Sequence, residues 1–499
     1  MSSAQSERPP PRQRAHSLTR VPAAWLRGAA RAAQRRGWRL PGPLGAMTSR
    51  FLASGGPAGD PAEGWYSPLV PYREDVPTPP FPRLAPSSSS GVASPPTGVR
   101  PMTTHVLLAT GVLDVGGLDE VVAFLARRLP GEGLRVSVVH TDEKVPGYSG
   151  PGGRLAAQLR DEGVDVARVD PDQLHPHVAS LRPDVISAHG APDRLITAAE
   201  QLGIPVVETL HGMHSWYDPT TWEDEAERSR RIAAFVAVSD LVRREYLNCN
   251  PTYPERQVVT IPNSVDDSKV PDVDRDQARR WLGVRDEFLF VSLARYVLQK
   301  NTYGLVSAFQ DLLHKEPDAR LLVAGRSDGR AYHEQVSHLR DSLPGADRVH
   351  LRADFRHPGL LLAAADCFVL DSFFEGWALA SMEALSSGVP VILSEVGGAA
   401  EQVAGDERNG IVVPNPAGRP IGLSWETMRA VRFAEQPNRD ELVDAMWSMV
   451  TAGPRSESDR RDLRRRSLSR FDPRNSVCAH ARVLIDVANG RPPSVLATR

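Results

Sequence analysis

From residue 102 onward, short apolar runs recur along the chain, each followed by a stretch with helical periodicity. "HVLLAT", "RVSVVHT", "PDVISAHG", "PVVETLHG" and "AFVAVS" form a first series. "FLFVSLAR", "RLLVAG", "RVHLRA", "CFVLDS" and "PVILSE" form a second. Runs this short, without polar alternation, suit strands buried on both faces, and the helices between them supply the cover that a parallel sheet needs. The expected class is α/β, with two doubly wound domains of similar size facing each other across a cleft. Between the series, "VVTIPNSVDDSKVPDVDRD" lapses into turn residues and acids and reads as the hinge. The expected boundaries are 102–265 for the first domain and 285–470 for the second. A last helix over 471–490 is expected to pack back across the pair. The length of 499 residues suits two or three domains rather than one core.

Residues 1–101 differ in kind. Segments such as "PTPPFPRLAPSSSSGVASPPTG" are too poor in apolar residues to offset chain entropy, so a disordered arm is expected. It holds thirteen arginines against five acids, so the overall net charge of -2 leaves the remainder near -10. A nucleic-acid role for that acidic remainder is not supported. Within the arm, "AAWLRGAARAAQRRGW" would as a helix set Trp25, Leu26, Ala29 and Ala33 on one side and Arg27, Arg31 and Arg35 on another. That pattern fits peripheral contact with an anionic membrane, the alternative being a solvated basic tail. The longest apolar run, "LLLAAADCFVL" (360–370), is about half of a bilayer span and reads as a helix end running into a strand. Cys249, Cys367 and Cys478 are odd in number and far apart, which suits neither a disulfide framework nor zinc. A cytoplasmic setting follows, with no metal or other cofactor expected.

Ligands of doubly wound sheets bind at the carboxyl ends of the strands. After "CFVLDS" the chain turns through Phe374, Glu375, Gly376, Trp377 and Ala378 and enters a helix near Leu379, which Gly388 and Pro390 end. Glu375 therefore lies where ligands lie, and the helix start after it offers unpaired N–H groups to an anion. Glu383 borders the apolar face made by Leu379, Met382 and Leu385, where a carboxylate can accept hydrogen bonds from a diol such as ribose. One glutamate for a sugar, main-chain amides for a diphosphate and one glutamate for a ribose describe a nucleotide-sugar pocket. Each acid alone also has a plain reading, as a loop carboxylate or as a charge complementing a helix N-terminus.

Together these residues resemble the E-x7-E signature of retaining glycosyltransferases of family 4, which have the GT-B fold of two facing Rossmann-like domains. The family's "EGFGLxxxEAMAxGxPVVxSxxGG" stands here as "EGWALASMEALSSGVPVILSEVGG". "LARYVLQKNTYGLVSAF" resembles "GRLxxxKGxxxLIxAF", and "VVETLHGMHSWYD", "AVSDLVRR", "IPNSVD" and "GGLDE" resemble further family segments in order. Trp377, Ala378, Ser264 and Ala353 depart from the common residues.

The resemblance implies that Arg295 and Lys300 bind the donor diphosphate and stabilise charge on the leaving group. It implies backbone amides from Leu379 and Ala380 beside Trp377, a close approach of the first loop at Gly116 and Gly117, and ribose hydroxyls on Glu383. Glu375 would contact donor-sugar hydroxyls, and His211 would position the sugar or support oxocarbenium-like charge. The implied reaction moves a sugar with retention from a nucleoside-diphosphate sugar to a hydroxyl acceptor, the leaving phosphate taking the acceptor's proton. An epimerase or phosphorylase of the same fold, or a membrane-tethered scaffold without activity, are the other readings.

Overall fold

The structure is a computed structural model that describes residues 103–114, 116–141, 153–266, 273–327, 330–352 and 358–495. The basic arm, with its expected membrane contact, and Ala353 lie outside the described residues.

Thirteen strands form two sheets among these residues, with parallel pairing throughout. The first sheet contains β1 (His105–Thr110), β2 (Arg135–His140), β3 (Asp165–Arg168), β4 (Val185–His189), β5 (Val206–Leu210), β6 (Ala234–Ala237) and β7 (Val258–Thr260). Their spatial order is β3-β2-β1-β4-β5-β6-β7. The second contains β8 (Leu289–Leu293), β9 (Arg320–Ala324), β10 (Val349–Arg352), β11 (Cys367–Leu370), β12 (Val391–Ser394) and β13 (Gly410–Val413), ordered β10-β9-β8-β11-β12-β13. Each sheet grows one way from its first strand and then reverses, so a crevice opens between β1 and β4 and another between β8 and β11. Such switch points are where doubly wound sheets bind ligands.

Both faces of each sheet are covered. Along β1, Val106 and Leu108 enter one apolar cluster while Leu107 and Ala109 enter another. Along β11, Phe368 and Leu370 face one way and Cys367 and Val369 the other. This two-sided burial explains why the strands read as unbroken apolar runs. The run 360–370 divides as expected, into a helix Pro358–Ala364 and then β11.

The chain returns to the first sheet at its end. The helix Pro473–Ala488 lays Val477, Ala481, Leu484 and Val487 into the cluster that also holds Val106 and Leu108. The crossing is tied at the linker, where the Val265 N–H donates to the Phe471 carbonyl (3.2 Å) and the Ser264 hydroxyl to the Asp472 carbonyl (3.2 Å). Among the described residues no helix is long and apolar enough to cross a membrane, and the three cysteines are free.

Candidate functional site

The expected ligand residues flank the two switch points. On the second sheet, β8 runs into Arg295, which is exposed, then into a short 3-10 turn, Leu298–Lys300, and the helix Thr302–Lys315. Beside it, β11 runs into Ser372 to Ala378 and the helix Leu379–Ser386. The two loops are stitched together: the Phe373 N–H donates to the Gln299 carbonyl, and the Gln299 amide to the Phe374 carbonyl, both at 2.9 Å. This clamp brings Lys300 to Glu375, Nζ to Oε1, at 2.5 Å. The Ser372 hydroxyl donates to the same Oε1 at 2.7 Å. The side chains of Lys300 and Glu375 are only 16% and 9% exposed, so the pair is held mostly out of water.

The first domain reaches this loop through backbone. Gly212 and Gly376 form an antiparallel bridge, and the Met213 N–H donates to the Glu375 carbonyl at 3.3 Å. A side chain on Gly376 would collide with the His211 carbonyl, so glycine alone allows this approach. At the other crevice, the first helix, Gly117–Arg128, starts opposite the helix Leu379–Ser386; a methyl group on Gly117 would stand 3.7 Å from the Leu379 Cδ1 atom. Glu383 opens on a cleft walled by Glu120 and Phe124 of the first helix, Ser264 of the linker, and Leu379 and Met382.

Trp377 is buried: its Nε1–H lies 3.3 Å from the Met382 sulfur, and its ring meets Phe471 edge-on at 6.0 Å. It fills core where the chain crosses back, leaving only its backbone in the turn. His211 is half-buried, and its Nε2 lies 2.8 Å from Nδ1 of His189, whose own Nε2 lies 3.0 Å from the Ser187 hydroxyl. Burial, with a smaller contribution from His480, lowers the His211 pKa to about 3. In the ligand-free protein a neutral imidazole can orient a sugar by hydrogen bonding and brings no positive charge of its own.

The three histidines respond to acid in one direction. Burial lowers His480 to about 4, and burial followed by its two neighbours depresses His189 well below the usual value. The unfolded chain takes up these protons near pH 6.5 while the folded chain does not, so stability falls as pH drops from about 6.5 toward the folded values. His480→Leu should flatten this acid limb: the loss of Tm between pH 6.5 and 4 should be smaller in the variant. Parallel curves for the two proteins would contradict the assignment.

Three contributors had weak sequence signals or none. Ser372 acts only because the turn folds it onto Glu375. Gly376 forms one of the backbone contacts between the domains. Trp216, an exposed aromatic at 41%, tilts against Phe374 with ring centroids 5.7 Å apart, beside the Glu375 turn.

Two doubly wound parallel domains, with a lysine–glutamate pair at one switch point and a glycine-led helix start at the other, make up the GT-B architecture. Family comparison agrees over most of the described chain: residues 274–425 match the model described as Glycosyl transferases group 1, and residues 115–269 the one described as Glycosyltransferase Family 4. The chain belongs to this glycosyltransferase family. It is 28% identical over 417 residues to a D-inositol 3-phosphate glycosyltransferase of Acidothermus cellulolyticus, covering 72% of this chain and 91% of that one. It is 27% identical over 302 residues to a GDP-mannose:cellobiosyl-diphosphopolyprenol alpha-mannosyltransferase of Xanthomonas oryzae, covering 56% and 76%. Among solved structures, Anabaena HepE in complex with UDP superposes with a TM-score of 0.61 over 76% of this chain and 98% of that one. At 18% identity that likeness is one of fold.

Proposed function

We propose that the protein is a retaining glycosyltransferase that moves a sugar from a nucleoside-diphosphate sugar to a hydroxyl of a glycan, lipid or small-molecule acceptor. The observation that carries this reading is the buried Lys300–Glu375 pair at a switch point, beside a helix start that offers amides to a diphosphate. Lys300 and Arg295 neutralise the departing diphosphate, with the Leu379 and Ala380 amides on its other side. Both donors to Glu375 converge on Oε1. Oε2 is the oxygen this reading assigns to a donor-sugar hydroxyl.

The acceptor oxygen bonds to the anomeric carbon on the face from which the diphosphate leaves. The bond to the diphosphate breaks, its terminal oxygen takes the acceptor's proton, and the products are a glycoside and a nucleoside diphosphate. A Glu375 already engaged by Lys300 and Ser372 is poorly suited to act as a nucleophile, which supports the front-face route. No step requires a metal ion. Uracil and guanine are the first bases to test, because the HepE complex holds UDP and the Xanthomonas relative is named for GDP-mannose.

Thermal unfolding with UDP-, GDP- and ADP-sugars tests the donor class. A ligand at a hundred times its Kd stabilises by about 2.7 kcal/mol, so one nucleotide series should raise Tm by several degrees. No response to any series would sink the reading. Donor consumed without acceptor, and converted to an isomer, would favour an epimerase.

A further inference from the structure

Lys300 is followed by Asn301, one of three non-glycine residues with positive φ among those described, at +48°. In the family pattern quoted above, a glycine follows the lysine, and a glycine alone would satisfy that backbone. Asn301 sits at the N-terminus of the helix Thr302–Lys315, yet its side chain makes no capping bond. It is fully buried and turned to other partners. Its Nδ2 donates to Asp371 Oδ2 and to Gln436 Oε1, each at 2.8 Å, and its Oδ1 accepts from Gln436 Nε2 at 2.8 Å.

Asp371 completes the network. Its Oδ1 accepts from Asn438 Nδ2 at 2.8 Å, and that nitrogen also donates to the Pro414 carbonyl at 3.0 Å. Burial raises the Asp371 pKa to about 7, while the two amide donors pull it back toward ionisation. Asp371 directly follows β11 and precedes Ser372, whose hydroxyl is bonded to Glu375. One buried set of amides thus grips the residue after Lys300 and the residue before Ser372. It is also tightly filled: a methyl group on Gly304 would collide with Gln436 and Asn301. Of these four side chains only Asn438 leaves a polar atom, Oδ1, without a hydrogen-bond partner; the other groups are all paired, which specifies a single geometry, and losing one partner is costly.

We infer that Asn301 and Asp371, backed by Gln436 and Asn438, are positioning residues that hold Lys300 on Glu375 before any substrate binds. The inference rests on the proposed function only for its effect on the reaction; the geometry itself is testable in the ligand-free protein. Asn301→Gly is the informative variant, because glycine keeps the positive φ and removes the amide. Amine acetylation of the full chain, followed by mass spectrometry, reports Lys300 against the exposed Lys315 as internal reference.

The Lys300-to-Lys315 labelling ratio should rise about fivefold in Asn301→Gly, the effect of roughly one net hydrogen bond, and also in Asp371→Asn, where an amide must meet two N–H donors. Asn301→Ser, which retains a short polar group, should lie between. With whichever nucleotide sugar the wild type uses, Asn301→Gly should lower kcat more than it raises KM, because a misplaced Lys300 fails chiefly in the transition state. If Asn301→Gly lowers Tm but leaves both the ratio and kcat unchanged, the network is merely structural and the inference is overturned. If the ratio rises while no nucleotide binds the wild type, the positioning stands and the transferase reading is what fails.

Discussion

Lys300→Met should lower kcat/KM at least about a hundredfold, the usual effect of deleting one preorganised electrostatic partner of a developing charge. The same substitution should destabilise the protein, because Glu375 is left mostly buried without its cation. Removing one member of a buried pair typically costs about 3–5 kcal/mol, while replacing both can be nearly neutral. Glu375→Gln leaves the Ser372 hydroxyl an oxygen to bond, yet deprives Lys300 of its counter-charge. The double variant Lys300→Met with Glu375→Gln should therefore recover much of the lost Tm and none of the lost activity. Thermal unfolding and turnover of the three proteins, measured side by side, separate the pair's structural and chemical roles. Recovery of turnover along with stability would mean that the pair merely holds the loops together and takes no part in transfer.

Legibility in the sequence followed burial. β1 stands where "HVLLAT" placed it, and β8 to β12 fall within the quoted runs, because these strands, the edge strand β10 included, are buried along nearly their whole length. β3, β7 and β13 were missed, and each is the outermost strand of its sheet. "DVAR" mixes charges into four residues with exposed ends, "VVT" is three residues long, and "GIVV" is short and led by glycine. At the site, Glu375 and Lys300 could be found because each stands in a recurring local pattern. The residues that hold them could not. Asn301 and Gln436 are 135 positions apart, and His189 and His211 are 22 apart at the ends of neighbouring strands, so the fold alone makes them partners. Trp377 owes its burial partly to the returning chain at Phe471, which leaves no mark near it in sequence.

Gly376→Ala should cost about as much activity as losing Lys300, although it touches no charged group. The residue is enclosed on two sides. The His211 carbonyl and the Gly212 backbone lie where a side chain would go, and the Gly398 N–H donates to the Gly376 carbonyl at 2.8 Å from behind. The obstructing atoms are backbone rather than the ends of flexible side chains, so relief requires the two domains to shift apart at this bridge. A displacement of about 1 Å at a reacting centre can cost a hundredfold in rate, and Glu375 and His211 are the residues adjoining this contact. The loss should appear mainly in kcat/KM for transfer, with nucleoside-diphosphate affinity reduced much less, because Lys300 and the Leu379 helix start belong to the second domain alone. Gly212→Ala is the matched control. A methyl group there would stand 3.9 Å from the Gly376 nitrogen, which is ordinary contact, and that variant should turn over within a few-fold of wild type. Equal losses in both would show that the bridge is sensitive to any substitution. Equal retention would show that the domains need not meet at this point for the chemistry to proceed.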